Sequence, residues 1–176
     1  MQYLLKIQIQ NTRAWRLLCV DGEYNLSKLM KIISLAFLSK SSAGTLLIDD
    51  KEYVIGHEVA VLGDEFLTFD SLSIQEQSIF TFTLKDFFDL CFCVTVLKKS
   101  DHLDCLMPSL IAGVGPVDSD SYINLDALND YLESDFELTL DCKEITKKIR
   151  EFNSQKANIN DAMIKAGAKE LNFRIG

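Results

Sequence analysis

The sequence predicts an α+β fold, with a mostly antiparallel sheet built from hairpins, a helix packed across it and further helices at the C-terminus. Short segments of alternating apolar and polar residues recur between turn residues, which is typical of paired strands. Helical periodicity appears in a few places and does not alternate regularly with the strands, so a parallel doubly wound sheet is disfavoured. A chain of 176 residues with 48% hydrophobic content can bury one substantial core.

The first twenty residues predict an antiparallel hairpin. Residues 3–10 alternate apolar and polar side chains with a period of two, the pattern of a half-buried strand. Residues 15–20 form a second apolar run, which stops at Asp21 and Gly22. Because only a short turn separates the two runs, we expect these strands to pair with each other.

A helix is predicted over residues 25–39. Asn25 is a good N-cap, because its side-chain oxygen can accept a hydrogen bond from main-chain N–H groups of the first turn. Apolar residues then recur at intervals of three and four and form one broad stripe that can face a sheet. The stripe comprises Leu26, Leu29, Met30, Ile33 and Phe37.

A second hairpin is predicted after residues 40–44, which end the helix. Its strands are residues 45–49 and 52–55, and we expect the tight turn at Asp50 and Lys51.

Two further strands are predicted near the middle of the sheet. Residues 78–84 alternate in the manner of a strand, and residues 90–97 are apolar on both faces, as buried strands are. The polar stretch 98–121 that follows is predicted to be a loop.

The C-terminal part of the chain predicts helices. Residues 124–134, entered through an N-cap at Asn124, and residues 142–152 carry apolar side chains at helical spacing. Residues 157–168 are more weakly helical, and residues 171–175 are expected to form a short strand.

Charge is distributed unevenly along the chain. The net charge is −8, but residues 1–141 carry −12 and residues 142–176 carry +4. We therefore expect a core domain over 1–141 and a basic helical extension over 142–176, with a protein partner or a homodimer contact through the extension. Direct nucleic-acid binding is not expected, because neutralising phosphates requires clustered Lys and Arg.

The cysteines predict a reduced, cytoplasmic protein. The chain has five cysteines, an odd number, with no CxxC pair, so we expect mostly buried free thiols. Its first ten residues lack the apolar run of a signal peptide, and no run is long enough to span a membrane. The four potential ligands Cys91, Cys93, His102 and Cys105 do not have a standard zinc spacing, and neither a metal nor a cofactor is expected.

Several short motifs follow one another in a definite order over residues 3–152. They include the pair Trp15 and Arg16 in the second strand and the pair Ala36 and Phe37 in the first helix. Residues 86–89 are Asp-Phe-Phe-Asp, and a later stretch carries Pro108, Gly113, Gly115, Pro116, Asp118, Asp120 and Tyr122. This order resembles the plasmid ORF-three-like family, often labelled as TnpR passenger proteins of insertion elements. The family's signature Tyr-Asp-Phe-Gly-Asp has Lys85 and Phe88 here in place of its Tyr and Gly, and its Pro, glycine-rich loop and Tyr are matched by the later stretch, with Val117 in place of a second Pro.

The resemblance implies a structural set and a polar set among these residues. The expected structural set is Trp15, Arg16, Phe87, Pro108, Gly113, Gly115 and Pro116. The candidate polar site is Asp86, Asp89, Asp118, Asp120 and Tyr122. Paired carboxylates can perform acid–base chemistry or share a cation, but aspartates at turns more often cap the main chain through their own side chains.

The function that these observations favour is that of a non-catalytic interaction or adaptor protein of a plasmid- or mobile-element-associated family. The resemblance itself implies a small α+β protein without an assigned reaction. Two alternatives remain open at this point. One is a metal-dependent or acid–base enzyme that uses the clustered aspartates, and the other is an acidic inhibitor of a nucleic-acid-binding protein.

Overall fold

The computed structural model describes residues 1–39, 43–56, 67–85, 89–115, 125–133 and 140–165. This part of the chain forms one seven-stranded sheet in the order β4-β3-β5-β6-β1-β2-β7, together with three α-helices and a short 3₁₀ helix. All six pairings between the described strands are antiparallel. The predicted α+β class with a mostly antiparallel sheet is therefore confirmed.

The elements have the following bounds. The strands are β1 Gln2–Ile9, β2 Trp15–Asp21, β3 Gly44–Ile48, β4 Lys51–Ile55, β5 Ile79–Lys85, β6 Asp89–Ser100 and β7 Ser109–Val114. The helices are α1 Leu26–Ala36, α2 Leu125–Glu133 and α3 Cys142–Lys165, with the 3₁₀ helix at Phe69–Leu72.

The strand β1 lies between β2 and β6, and its alternation determines which of its side chains enter the core. Tyr3, Leu5, Ile7 and Ile9 are buried, whereas the residues between them are only partly covered. The turn to β2 includes Asn11 at a φ of 59°, a left-handed conformation that asparagine tolerates better than most residues.

The helix α1 is shorter than predicted, but it begins directly after its predicted cap residue, Asn25. The Asn25 side chain accepts a hydrogen bond from the N–H of Lys28 at 2.8 Å. The helix ends at Ala36, and Leu38 then adopts a left-handed φ of 57°, which an α-helix cannot continue through. Side chains of α1 meet those of β3, β4 and β5 around a space of only about 10 Å³, lined by Leu26, Leu29, Met30, Ile33, Leu46, Ile55 and Phe82.

The turn between β3 and β4 lies one residue earlier than predicted. Asp49 and Asp50 both have positive φ, at 48° and 62°, and Ile48 pairs with Lys51. A two-residue hairpin turn of this type needs two left-handed residues, and aspartate accepts that conformation more readily than lysine does. Lys51 is consequently the first residue of β4.

The prediction of a loop over residues 98–121 was wrong in two places. The strand β6 continues to Ser100, and Ser109–Val114 forms β7, which pairs with β2 at the edge of the sheet. The sequence of β7 contains Ser, Ala and Gly and has little apolar alternation, so its strand conformation depends on pairing with a distant segment.

The helices predicted over residues 142–152 and 157–168 are joined in one continuous helix, α3, which runs from Cys142 to Lys165. Asp141 caps it by accepting hydrogen bonds from the N–H groups of Lys143 and Glu144. Residues 153–156 contain neither Gly nor Pro, so nothing in the sequence forces a break. Ile145 and Ile149 lie in the same hydrophobic core as the sheet. The predicted cap at Asn124 and the short strand at 171–175 lie outside the described residues.

Replacing the cap residue of α1 tests how that helix begins. We expect Asn25→Ala to lower the free energy of unfolding by about 1 kcal/mol, because the Lys28 N–H loses its acceptor at the start of the helix. Asn25→Asp should retain most of the stability, since aspartate is also a good cap. Denaturant titration of the three proteins measures the difference, and equal losses for the two variants would contradict a capping role.

Candidate functional site

The predicted polar site lies mostly outside the part of the chain that the structure describes. Asp89 begins β6, where its main chain pairs with Lys85, but the position of its side chain is not described. The residues wholly outside the described ranges are Asp86, Phe87, Pro116, Asp118, Asp120 and Tyr122. Convergence of the four aspartates therefore stays a prediction.

Four of the predicted structural residues, Trp15, Arg16, Gly113 and Gly115, meet around one buried side chain, whereas Pro108 contacts Arg150 instead. Arg16 is fully buried, and its Nε donates a hydrogen bond to the carbonyl of Ala36 at 2.9 Å. Its Nη1 donates to the carbonyl of Val114 at 2.8 Å, and its Nη2 donates to that of Gly115 at 2.6 Å. The guanidinium also lies 4.7 Å from the centre of the Phe37 ring. We call Arg16, Ala36, Phe37, Val114 and Gly115 the arginine cluster.

Gly113 in β7 and Gly115 just after this strand allow the main chain to approach Arg16. A Cβ on Gly113 would lie 2.8 Å from the carbonyl oxygen of Trp15 and 3.0 Å from Cδ of Arg16. Gly115 has a φ of +79°, which side-chain-bearing residues rarely adopt. Both positions thus require glycine, so that the end of β7 can contact Arg16 of β2.

The arginine cluster fastens three segments that are far apart in sequence. Arg16 belongs to β2, Ala36 and Phe37 end α1, and Gly115 follows β7. Hydrogen bonds from a charged donor are each worth about 1.5–3 kcal/mol, and they offset the large cost of burying a guanidinium. Because these donors point at main-chain carbonyls, we assign Arg16 a structural role. The sequence showed the motif residues singly but carried no signal that they converge.

The second face of the sheet carries the side chains that do not enter the core. In β5, β1 and residues 90–96 of β6, alternate residues join the core that includes residues of all three α-helices, and the intervening residues are half-buried or exposed. In β2 the intervening Cys19 is buried as well. We call this second face the open face. One row of register partners crosses it through Glu52, Leu47, Thr81, Cys93, Gln8, Trp15 and Val114. The next row comprises Ile79, Thr95, Lys6, Leu17 and Ala112.

Apolar side chains are well exposed on the open face. Ile79 of β5 is 67% exposed and Leu47 of β3 is 45% exposed. Because β3 pairs directly with β5, these two side chains contribute to one surface. The two rows contain two charged residues, Glu52 at the β4 edge and Lys6, whose Nζ lies 6.0 Å from the centre of the Trp15 ring. The open face is therefore wide, poor in charge and partly apolar.

Asp70 joins the N-terminal strand to the 3₁₀ helix. It accepts hydrogen bonds from the Tyr3 hydroxyl at 2.7 Å and from the Met1 amino group at 2.9 Å. Partial burial raises the pKa of the Asp70 carboxyl, but these two hydrogen bonds and the positive charges of Met1 and Lys99 outweigh it, so the pKa lies below its usual value. Burial, reinforced by the bond to Asp70, raises the pKa of Tyr3. Sequence reasoning missed this group because Asp70 follows a segment without clear periodicity.

The cysteines differ from the expectation of free thiols. Cys19 and Cys105 form a disulfide across 86 positions of sequence, while Cys91, Cys93 and Cys142 are free and half-buried. Cysteine spacing alone could not reveal the pair, because connectivity is not deducible from sequence. Since Cys105 is bonded to Cys19, it is not a free thiolate for the zinc pattern considered above. Among the described residues, no group of three or more His, Cys, Asp or Glu is placed to hold a metal ion.

Comparison with known proteins adds a likeness of fold. No family model matches the sequence, and no curated protein sequence matches it. The chain is similar to the crystal structure of a protein of unknown function from Methanosarcina mazei Go1, with a TM-score of 0.54 and 15% sequence identity. The similarity covers 81% of this chain and 94% of that one. At this identity it shows a shared fold. Within the described ranges, no helix is both long and apolar enough to cross a membrane.

Substitution of Arg16 tests the arginine cluster. We expect Arg16→Met to lower the free energy of unfolding by about 2–4 kcal/mol, because it removes the donors while the carbonyls that they satisfy stay buried. Arg13→Met is the matched control, since Arg13 is exposed in the turn before β2. Denaturant unfolding measures both variants, and similar small losses for the two would contradict the structural role of Arg16.

The pH dependence of stability tests the Asp70 group. The pKa of Asp70 is lower in the folded protein, so its ionised form stabilises the fold above the unfolded pKa of about 3.9, and the contribution disappears as the pH falls through the folded value. Asp70→Asn should therefore cost about 1 kcal/mol at pH 7 and progressively less below about pH 4. Asp104→Asn, at a fully exposed carboxyl, should leave stability unchanged. Thermal melting across pH checks this, and a pH-independent loss in Asp70→Asn would contradict it.

Proposed function

We propose that this protein is a non-catalytic interaction or adaptor protein and that it binds a protein partner through the open face. The observation that carries the proposal is the exposure of Ile79 and Leu47 on a wide sheet surface. Contiguous exposed apolar surface is uncommon on monomers and marks contact sites. The cores of protein interfaces are depleted of charge, as the two central rows of the open face are.

The partner that fits this surface is a protein with an uncharged, partly apolar and flat contact area. Sheet faces bury apolar side chains best against another sheet or a helix, where the side chains interdigitate. A nucleic acid is a poor fit, because its phosphates need clustered cations and the two rows contribute only Lys6. The net charge of −8 adds a general repulsion toward phosphates.

The chain is, we further propose, a divergent relative of the plasmid ORF-three-like family. The convergence of Trp15–Arg16, Ala36–Phe37, Gly113 and Gly115 at the arginine cluster supports this, because residues on which the resemblance rests then share one physical role. The arrangement of hairpins and helix implied by the resemblance, and the association with plasmids or mobile elements, belong to the same proposal.

A cytoplasmic location and a homodimer through the C-terminal segment complete the proposal. The apolar residues Ile145 and Ile149 of α3 are already in the core, so a second copy would meet the outward side of the helix. That side borders an open groove of about 450 Å³, lined by Lys143, Thr146, Lys147, Arg150, Glu151 and Ser154. The excess of cations in this groove complements the −12 carried by residues 1–141.

A matched pair of substitutions tests the role of the open face. Ile79→Glu introduces a charge within the proposed contact, whereas Leu106→Glu introduces one at a similarly exposed leucine, 74% accessible, in the segment before β7. Partners captured by the wild-type protein from host lysate are purified and titrated with each variant. We expect the dissociation constant to rise at least about tenfold for Ile79→Glu and to stay nearly unchanged for Leu106→Glu.

Melting curves of both variants must match the wild type, so that a change in affinity is not a change in folding. Equal affinity of the wild type and Ile79→Glu for every purified partner would contradict binding through the open face. Loss of binding in both variants would contradict it as well, because the effect would then not depend on this surface.

A further inference from the structure

The disulfide attaches a surface segment to the sheet. It joins Cys19 of β2 to Cys105, which lies in residues 101–108 between β6 and β7. We call residues 101–108 the bridging loop. Cys19 is almost fully buried, whereas Cys105 is partly accessible, so a reagent in solution reaches the bond from the side of Cys105.

Apart from the disulfide, the described contacts of the bridging loop with the sheet are few. The N–H of Leu103 donates to the Oε1 of Gln2 at 2.5 Å, and the Leu103 side chain is buried. The side chains of His102 and Leu106 are 80% and 74% exposed. The covalent bond and the buried Pro108 at its end are thus the principal constraints on the second half of the loop.

That second half supports the helix α3 through Arg150. The Nε of Arg150 donates to the carbonyl of Pro108 at 3.2 Å, and its Nη2 donates to the carbonyl of Leu106 at 3.3 Å. The same Nη2 donates to the hydroxyl of Ser109 at 2.6 Å, and that hydroxyl in turn donates to the carbonyl of Leu106. Three acceptors, at positions one to four residues after Cys105, therefore hold one side chain of α3.

A second polar contact holds α3 independently of the bridging loop. The Thr146 hydroxyl accepts a hydrogen bond from the Leu110 N–H at 3.0 Å and donates one to the Leu110 carbonyl at 3.2 Å. Ile145 and Ile149 add apolar burial. If the bridging loop moves, α3 consequently keeps its attachment to β7 and loses only the contacts of Arg150 with the carbonyls of Leu106 and Pro108.

We propose that the Cys19–Cys105 disulfide is a redox-responsive latch that controls how firmly α3 is held. A dithiol reductant opens the latch: its thiolate attacks Sγ of Cys105, and Cys19 leaves as a thiolate and takes up a proton. The second thiolate of the reductant then attacks the mixed disulfide and releases Cys105, which is also protonated. Two electrons pass to the protein, and the reductant leaves as its own disulfide.

The open latch frees the bridging loop, so that the carbonyls of Leu106 and Pro108 no longer stay in position for Arg150. The central turns of α3 then open more often, while the sheet remains folded. In a reducing compartment, disulfides that persist or form transiently are usually catalytic or redox-sensing, and a latch belongs to the second kind.

Hydrogen exchange on the full chain tests the latch. Peptide mapping first verifies the Cys19–Cys105 bond in the oxidised protein, and exchange is then measured with and without dithiothreitol. We expect amides of residues 146–154 to exchange roughly tenfold faster after reduction, with amides of β1 and β6 unchanged. The double variant Cys91→Ser, Cys93→Ser keeps the latch and should respond as the wild type does.

Two further variants distinguish the latch from a general loss of stability. Cys105→Ser should exchange like the reduced wild type and ignore dithiothreitol. Arg150→Met should exchange rapidly at residues 146–154 in both redox states, because it removes the contact through which the loop acts. If Cys105→Ser does not fold, reduction of the folded wild type still gives the decisive comparison.

Three outcomes would overturn the proposal. The first is oxidised protein without a bond between Cys19 and Cys105, and the second is identical exchange at residues 146–154 before and after reduction. The third is an Arg150→Met variant that still responds to reduction as fully as the wild type does, because the coupling would then not pass through Arg150.

Discussion

The structure depends most on the burial of one guanidinium among main-chain carbonyls. Arg16 lies in β2, and besides the carbonyl of its neighbour Trp15 it satisfies carbonyls at the end of α1 and at the end of β7. A buried charge is tolerated only when its donors are matched, so the three segments must arrive together for any of the contacts to be favourable. The arginine cluster thereby links an edge strand, a helix terminus and an inner strand, and it fixes where α1 ends on the sheet.

The two faces of the sheet have different tasks. One face is filled by aromatic and aliphatic side chains, with Phe37 against Phe92 and Phe82 stacked on Phe92, and it carries the stability of the fold. The other face does not pack against the core, so its side chains can vary in polarity without a loss of core packing. Its rows with few charges and the basic outward side of α3 are separate surfaces of different character. A protein that binds partners benefits from such a separation, because changes on one surface leave the core intact.

Local sequence signals were sufficient to predict elements that are specified by a cap residue, an apolar periodicity or an apolar run. Asn25 and the apolar stripe after it predicted α1, alternation predicted β1 and β5, and apolar runs predicted β2 and β6. The strand β7 was missed because Ser109, Ala112 and Gly113 have low strand preference and are placed by pairing with β2. The same holds for sites: Arg16 and the glycines were noticed as motif residues, but their meeting depends on tertiary packing, as do the Cys19–Cys105 bond and the group around Asp70. The aspartates of the predicted polar site lie largely beyond the described residues.

The position of β1 has a consequence for the order in which the chain can fold. β1 is synthesised well before β6, one of its two neighbours, and Gln2 pairs with Ser100. During synthesis the hairpin of β1 and β2 must wait with one side of β1 unpaired until about a hundred residues have emerged. Pairings this distant make folding slow, and an unpaired strand edge invites association with other chains. The nascent protein therefore passes through a vulnerable interval, during which a chaperone that covers the free side of β1 would have its greatest effect.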